Sequence, residues 1–275
     1  MNASPVGAAA APPPLCWTDL GRMPYRQVWD LQRTLVAERK AGRGSDRVLL
    51  VEHPAVLTLG RRANAAHVLA APSLLDARGI ERFEVERGGD VTWHGPGQQV
   101  VYPILDLQGF RKDVRWYAGA LTAAVVATLA SFGIAAEARE GRETGVWVAL
   151  GPEAEPTPSI RGWAKLAALG LRIERWIAYH GIALNVDPDL SAFDLILPCG
   201  LPEARSGSMA ALLGRPIELS EVRPALVAAL GQALGRRMLQ RGAEDLPVVL
   251  DARSPAPADA RAGRPGPGAA GGAPR

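Results

Sequence analysis

Cysteine, lysine and aromatic residues are all scarce in this chain of 275 residues, and each shortage removes a class of protein from consideration. Two cysteines, Cys16 and Cys199, cannot build a disulfide framework, and no Cys-x-x-Cys pair offers zinc ligands. The four histidines, His53, His67, His94 and His180, have no metal-ligand spacing, so no metal site is expected. Only Lys40, Lys112 and Lys165 are lysines, and the remaining positive charge is arginine. The net charge of +3 comes without a basic run or a basic stripe studded with aromatics, which argues against nucleic acid and favours acidic protein partners weakly. The N-terminus lacks a signal peptide's basic start and apolar run, because prolines interrupt its alanines. A reducing, cytoplasmic location fits. The stretch 118–136 carries no charge, but it is mostly Ala, Thr, Ser and Gly. Val114, Tyr117, Leu121, Val125, Leu129 and Phe132 recur around it at helical spacing, as in an amphipathic core helix rather than a membrane span.

What is abundant is Ala, Gly, Pro and enough apolar residues for one core. Residues 1–15 and 252–275 read as disordered tails rich in Pro, Gly and Ala, leaving 16–251 as a single catalytic-sized domain. Pro24 opens a helix through Lys40, a short helix spans Ser73–Arg78, and a long one spans Asp113–Phe132. A last helix runs from Leu219 to Leu239 with an early break near Pro224. Strands are expected at Val48–Val51, Ala55–Leu59, Arg82–Glu86, Val100–Leu107, Gly145–Leu150, Trp163–Leu169, Leu171–Ile177 and His180–Val186. Their close succession points to antiparallel pairing rather than alternating β-α-β units. The fold class is therefore α+β: a mixed, largely antiparallel sheet flanked by helices.

Four segments carry residues suited to chemistry. The first is the loop Arg87-Gly88-Gly89-Asp90-Val91-Thr92-Trp93-His94-Gly95-Pro96-Gly97-Gln98. Its glycines allow positive φ and close backbone approach, so it can hold an oxyanion or line a channel, or it can be only a tight connection. No Gly-Lys-Ser/Thr follows it and no helix with a third glycine opens there, which excludes a phosphate loop and a dinucleotide fingerprint. In the second, Gly162–Gly170, Lys165 interrupts an apolar strand of small residues. It is either an edge lysine snorkelling to water or a desolvated lysine able to exchange protons near neutrality. The third, Leu195–Leu201, places Cys199 between Pro198 and Gly200 at the end of an apolar run. A cysteine there is either inert core or, beside an ammonium, a nucleophilic thiolate. The fourth is His180-Gly181-Ile182-Ala183-Leu184-Asn185-Val186, whose histidine could be a base, a pocket wall or a satisfied core residue.

Together, in this order, these segments resemble the lipoyl(octanoyl) transferase family, the octanoyl-acyl-carrier-protein:protein N-octanoyltransferases. The matching residues are Glu52-His53-Pro54, Thr58-Leu59-Gly60-Arg61, the Arg87–Gln98 loop, Tyr102-Pro103 and Gly145-Val146-Trp147-Val148. They continue with Lys165 and Ala168-Leu169-Gly170, His180-Gly181, Leu184-Asn185-Val186 and Pro198-Cys199-Gly200, covering about residues 47–214. Trp93 stands where the family usually has Tyr or Phe, residues 151–162 form a longer Pro-rich loop, and Ser208-Met209 replaces a more usual Thr-Ser.

The resemblance implies the fold of the biotin protein ligase and lipoate ligase catalytic domains, and it implies the reaction. Cys199 attacks the thioester of octanoyl-acyl carrier protein to give an acyl-enzyme, with Lys165 as acid–base partner. The ε-amine of a lysine then takes the octanoyl group as an amide. That lysine belongs to a lipoyl domain of a 2-oxoacid dehydrogenase complex or to the glycine cleavage H protein. No cofactor or ATP is implied. The acyl tunnel implied is walled by Arg87, Gly88, Gly89, Asp90, Val91, Thr92, Trp93 and His94, by Ala168, Leu169 and Gly170, and by Gly181, Ile182 and Ala183. Backbone N–H groups near Gly170 or Gly200 are candidates for an oxyanion hole. The octanoyl length comes from the resemblance alone, since each methylene is worth about 0.8 kcal/mol and two fewer weaken binding roughly fifteenfold. Two rival readings stand beside it. An ATP-dependent lipoate or biotin ligase of the same fold would need no Pro-Cys-Gly. A non-catalytic module that docks carrier or lipoyl domains would have no use for Lys165 and Cys199.

Overall fold

A computed structural model describes residues 12–151, 160–198 and 204–247. The architecture is the expected α+β one, with a nine-stranded mixed sheet among the described residues. The first strand, β1 (Leu15–Arg22), was not anticipated: Leu15 and Cys16, expected at or beside the tail, are its first two residues, and Leu15 is fully buried. Helix α1 (Tyr25–Lys40) follows directly after Pro24, and β2 (Arg47–Glu52) pairs parallel to β1. A second, three-stranded sheet is built from β3 (Val56–Leu59), β4 (Glu81–Glu84) and β5 (Val91–His94), with the short helix α2 (Pro72–Ala77) between β3 and β4. Part of the glycine-rich loop is therefore a strand, antiparallel to β3.

The centre of the large sheet is β6 (Gln98–Asp106), β10 (Ile177–Asn185) and β9 (Trp163–Glu174), all antiparallel, extended by β8 (Gly145–Ala149) and β7 (Glu137–Arg139). The two strands expected at Trp163–Leu169 and Leu171–Ile177 are the single strand β9. It turns into β10 through Arg175 and Trp176, both at positive φ (51° and 69°), as a two-residue primed hairpin requires. Strand β11 (Arg205–Ser206) lies parallel to β9.

Helix α3 (Val114–Ser131) is long and apolar enough to cross a membrane, yet it packs with α5 (Leu219–Leu234) over the main core on one sheet face. Asp113 caps α3, accepting from the N–H groups of Arg115 and Trp116. Helix α5 is not broken at Pro224, which sits inside it, and it does not reach Leu239. Gly235 ends it at φ 63°, and the chain continues as β12 (Met238–Gln240), parallel to β1. Gly231 permits that return, because a Cβ there would lie 2.8 Å from the Arg236 carbonyl oxygen. Ser208, at the position where the family pattern has Thr, caps α4 (Met209–Leu213) by accepting from Ala211 N–H (3.2 Å). On the opposite face of the large sheet, α1 covers a second core of β2, β6 and β10 residues. The functional pocket lies on that second face.

Candidate active site

The floor of the pocket is a patch of sheet whose β9 and β10 residues are glycine and alanine, flanked by larger residues of β6. Val100 and Tyr102 on β6, Ala183 and Gly181 on β10, and Ala168 and Gly170 on β9 stand side by side in register. Gly181 tolerates no substituent, since a Cβ would meet the Val101 carbonyl oxygen at 2.0 Å. Above the floor runs the segment from Arg87 into β5, and Tyr25 at the start of α1 completes the wall. The empty space within and at the open mouth of this pocket is about 530 Å³ together.

The cover is rigid. The buried Arg87 guanidinium donates from Nε to Thr58 Oγ1 (3.1 Å), from Nη2 to the Thr58 carbonyl (2.5 Å) and from Nη1 to the Gly88 carbonyl (3.0 Å). The N–H groups of Gly60, Arg61 and Arg62 donate to the carbonyls of Asp90, Arg87 and Gly89. Asp90 accepts from Asn64 N–H (3.1 Å) and is bonded to His67 Nδ1.

Lys165 enters the pocket because β9 breaks its alternation. Ala164 and Leu166 face the main core, and so does Ala167, while Ala168 and Gly170 face the pocket. Against β8 the register shifts between Val146 and Trp147, so that Val146 pairs with Ala167 but Trp147 pairs with Lys165. This bulge turns Lys165, which would otherwise share a face with Ala167 and Leu169, onto the pocket side. Its side chain is nearly buried, with Nζ 5.4 Å from the Trp147 ring centroid. It runs toward Gly145, whose absent Cβ would lie 2.5 Å from Cε and 3.3 Å from Nζ.

His180 is turned by a second irregularity. Its neighbours Ala178 and Ile182 face the main core, but His180 takes φ 55° and its ring lines the pocket. The β6–β10 pairing lapses here opposite Pro103, which has no N–H to give, and His180 N–H donates instead to Gln32 Oε1 on α1 (2.9 Å). The ring stacks on Tyr179 (5.0 Å between centroids) and meets Tyr102 edge-on (6.4 Å).

A chain of polar groups ties the site together. His94 Nδ1 donates to Gln98 Oε1 (2.7 Å), Gln98 Nε2 to Asn185 Oδ1 (2.9 Å), and Asn185 Nδ2 to the Gly207 carbonyl (2.9 Å). Gly207 N–H in turn donates to the Lys165 carbonyl (3.0 Å). His53 is anchored between the Met23 carbonyl (2.8 Å) and the Tyr102 hydroxyl (3.0 Å). Burial holds His53 near pKa 4, and burial together with His53 holds His94 near 3, so both are neutral imidazoles at neutral pH. Burial also lowers His180, against the pull of Glu86, and raises the hydroxyls of Tyr25 and Tyr102.

Of the residues expected at the tunnel wall, Arg87, Gly89, Asp90, Val91, Thr92, His94, Ala168, Leu169, Gly170, Gly181, Ile182 and Ala183 line this pocket, as does Lys165. Gly88 and Trp93 do not. Gly88 N–H donates to the Leu171 carbonyl (2.8 Å) at the edge, and Trp93 points out of the other face of β5 against Phe193 (5.3 Å between centroids). The expectation that Trp93 forms a pocket wall is corrected by its burial among Leu57, Leu75 and Ile196. Tyr25, Val100, Tyr102 and His180 complete the lining; of these only His180 carries a signal in the sequence, where a pocket wall is one of its three readings. Cys199 and Gly200 lie outside the described residues. The chain before them is tied by Leu197 N–H to the His67 carbonyl (2.7 Å) and by a bridge between Ile196 and Val68. The chain after them enters β11, where Ser206 stands opposite Lys165. Among the described residues no three His, Cys, Asp or Glu side chains are grouped to hold a metal ion.

A small-residue floor, a glycine-rich cover and a buried lysine on this sheet define the chain as a catalytic domain of the lipoyl protein ligase A/B type, and that family's profile matches residues 24–231. Solved structures share the fold. An archaeal bipartite lipoate protein ligase from Thermoplasma acidophilum superposes with TM-score 0.62 at 16% identity, covering 84% of this chain and 87% of its own. A lipoate-protein ligase A bound with ATP gives TM-score 0.61 at 15% identity, covering 84% and 88%. Nearer relatives in sequence are octanoyltransferases. That of Chloroflexus aurantiacus is 44% identical over 214 residues, 78% of this chain and 91% of the relative. That of Gloeobacter violaceus is 44% identical over 216 residues, 78% and 88%. The chain belongs to the octanoyltransferase family.

Proposed function

We propose that the chain moves an octanoyl group from octanoyl-acyl carrier protein to a lysine of lipoyl domains, through a thioester on Cys199. The observation that carries this reading is Lys165: a buried ammonium turned by a bulge into the end of an apolar pocket, with the strand that follows Cys199 paired beside it. The Cys199 thiolate attacks the carrier thioester, and the pantetheine sulfur leaves with a proton from the Lys165 ammonium. The neutral Lys165 then takes a proton from the incoming lysine. That amine attacks the acyl-enzyme, the C–N bond forms, the nitrogen releases its remaining excess proton to water, the C–S bond breaks, and the Cys199 thiolate returns beside the Lys165 ammonium. Thioester to amide is downhill, so ATP has no part in the cycle.

The acceptors in this reading are the lipoyl domains of 2-oxoacid dehydrogenase complexes and the glycine cleavage H protein, in the cytoplasm, with residues 16–251 as the catalytic domain. The test is intact-protein mass spectrometry after incubation with octanoyl-acyl carrier protein and no ATP. One octanoyl adduct on Cys199 is expected, absent in Cys199→Ser and formed at least a hundredfold more slowly in Lys165→Ala. Wild-type transfer by both variants, or a strict need for ATP, overturns the reading.

A further inference from the structure

The two alternation breaks stand at opposite ends of the pocket, and their separation is a length. The Lys165 ammonium lies beside Gly145, which pairs with Ala168. His180 pairs with Leu171, three residues farther along β9. At about 3.3 Å per residue the gap is roughly 10 Å. An extended eight-carbon acyl chain has seven C–C bonds of about 1.5 Å, and its zig-zag advances about 9 Å from the carbonyl carbon. Between the two ends the floor is Ala168, Gly170, Gly181 and Ala183, which offer a chain nothing to stop against.

The far end is closed. His180 is only 1% exposed, with Tyr102 edge-on to its ring and Tyr179 stacked on it. Behind it, Glu86 Oε1 lies 3.8 Å from Nε2 and receives the Trp29 indole N–H. Burial pushes the Glu86 carboxyl up, but His180, the residue's own N–H and Trp29 outweigh it and hold it well below the usual carboxylate range. Neither ring nitrogen of His180 has a hydrogen-bond partner among the described residues. The stop is therefore polar as well as solid. A ninth or tenth carbon would have to displace the ring or rest against a buried imidazole with a carboxylate behind it, which adds desolvation to the steric conflict.

We propose that His180 is the distal stop of the acyl pocket and sets its eight-carbon reach, a specificity role in the transfer reaction proposed above and dependent on it. Its left-handed backbone is part of the device, because only that conformation brings the ring out of the core face and across the end of the pocket.

The experiment measures acyl-enzyme formation by intact mass with hexanoyl-, octanoyl-, decanoyl- and 8-hydroxyoctanoyl-acyl carrier protein. Wild type is expected to load octanoyl fastest and to load the hydroxyl-ended chain faster than decanoyl, since a terminal hydroxyl can meet the His180 nitrogens. His180→Gly keeps the positive φ without strain and removes the ring. The decanoyl-to-octanoyl rate ratio should then rise about fifteenfold, the value of two more buried methylenes. His180→Asn, also at ease at positive φ, should give a smaller rise in the same direction. A merely structural role would slow every chain alike and leave the ratio fixed. An unchanged ratio in either variant that circular dichroism shows folded overturns the inference, as does a wild type that loads decanoyl as fast as octanoyl. If wild type loads no acyl group at all, the transfer reading fails and takes the ruler with it; octanoyl loading with a flat length profile sinks the ruler alone.

Discussion

Gly145→Ala is the sharpest single test of how Lys165 is positioned. Gly145 opens β8 at φ 146°, a conformation that side chains avoid. An added Cβ would lie 2.4 Å from the Ala167 carbonyl oxygen and 2.5 Å from Lys165 Cε. The Ala167 carbonyl is backbone at the bulge and cannot yield cheaply, so the end of the Lys165 side chain must move as well. Overpacking of this kind costs about 1–3 kcal/mol, and the backbone conformation adds about 1–3 kcal/mol more. The two together predict a melting temperature lower by roughly 5–20 °C for a domain of this size. The catalytic effect should be larger in proportion, because a displacement of about 1 Å in a reacting group can cost a hundredfold in rate. The assay is octanoyl loading in a single turnover, at a temperature where circular dichroism shows the variant folded. Gly133→Ala is the control: Gly133 also has positive φ (76°), but nothing lies within 4 Å of its would-be Cβ. It should lose some stability and keep its loading rate. Wild-type loading by folded Gly145→Ala would refute the placement of the ammonium beside Gly145.

Two further outcomes follow from the buried polar chain. Asn185→Leu leaves the Gly207 carbonyl without its donor and weakens the hold on Gln98, so urea unfolding should show a loss of about 2–4 kcal/mol; a loss below about 1 kcal/mol would mean that the chain is not a support. His53 and His94 are neutral in the folded protein, with pKa values depressed to about 4 and about 3, while unfolding returns them to the ordinary histidine value of 6.5. Their contribution is thus complete above about pH 6.5 and is lost as pH falls toward those folded values. For His53 it is on the order of 3 kcal/mol. Urea titrations should show falling stability already between pH 6.5 and 5, above the carboxylate range, and a shallower fall in His53→Gln; equal slopes in the two proteins would be contrary.

The chemistry of the site was easier to read in the sequence than its geometry. Lys165 was conspicuous by type, an ammonium among small apolar residues. Its direction was not, because strict alternation sends position 165 toward the core with 167 and 169, and the bulge at Leu166 has no mark of its own in the residues. His180 poses the same difficulty at longer range: its positive φ answers to Pro103 on another strand and to Gln32 on a helix. The wall implied by the resemblance runs through Arg87–His94, and within it Trp93 is buried with Leu57, Leu75 and Ile196 because pairing with β3 makes that part of the loop a strand. Strand β1 escaped notice because its pattern is neither alternating nor continuous, and β12 because the apolar spacing of α5 runs on past Gly235. Helices α1 and α3 were legible because their signals are local, a proline or a capping aspartate followed by apolar residues at helical spacing.

The place of β1 has a consequence for how the molecule is made. One edge of β1 pairs with β2, which follows within about thirty residues, but the other waits for β12 at Met238–Gln240. During synthesis β1 therefore keeps one edge bare until Met238–Gln240 has been translated. A chain truncated after β2 but before Met238 keeps that edge permanently open, a template for strand addition by its neighbours. Premature termination in this protein should thus show itself as insoluble material rather than as a smaller, soluble enzyme.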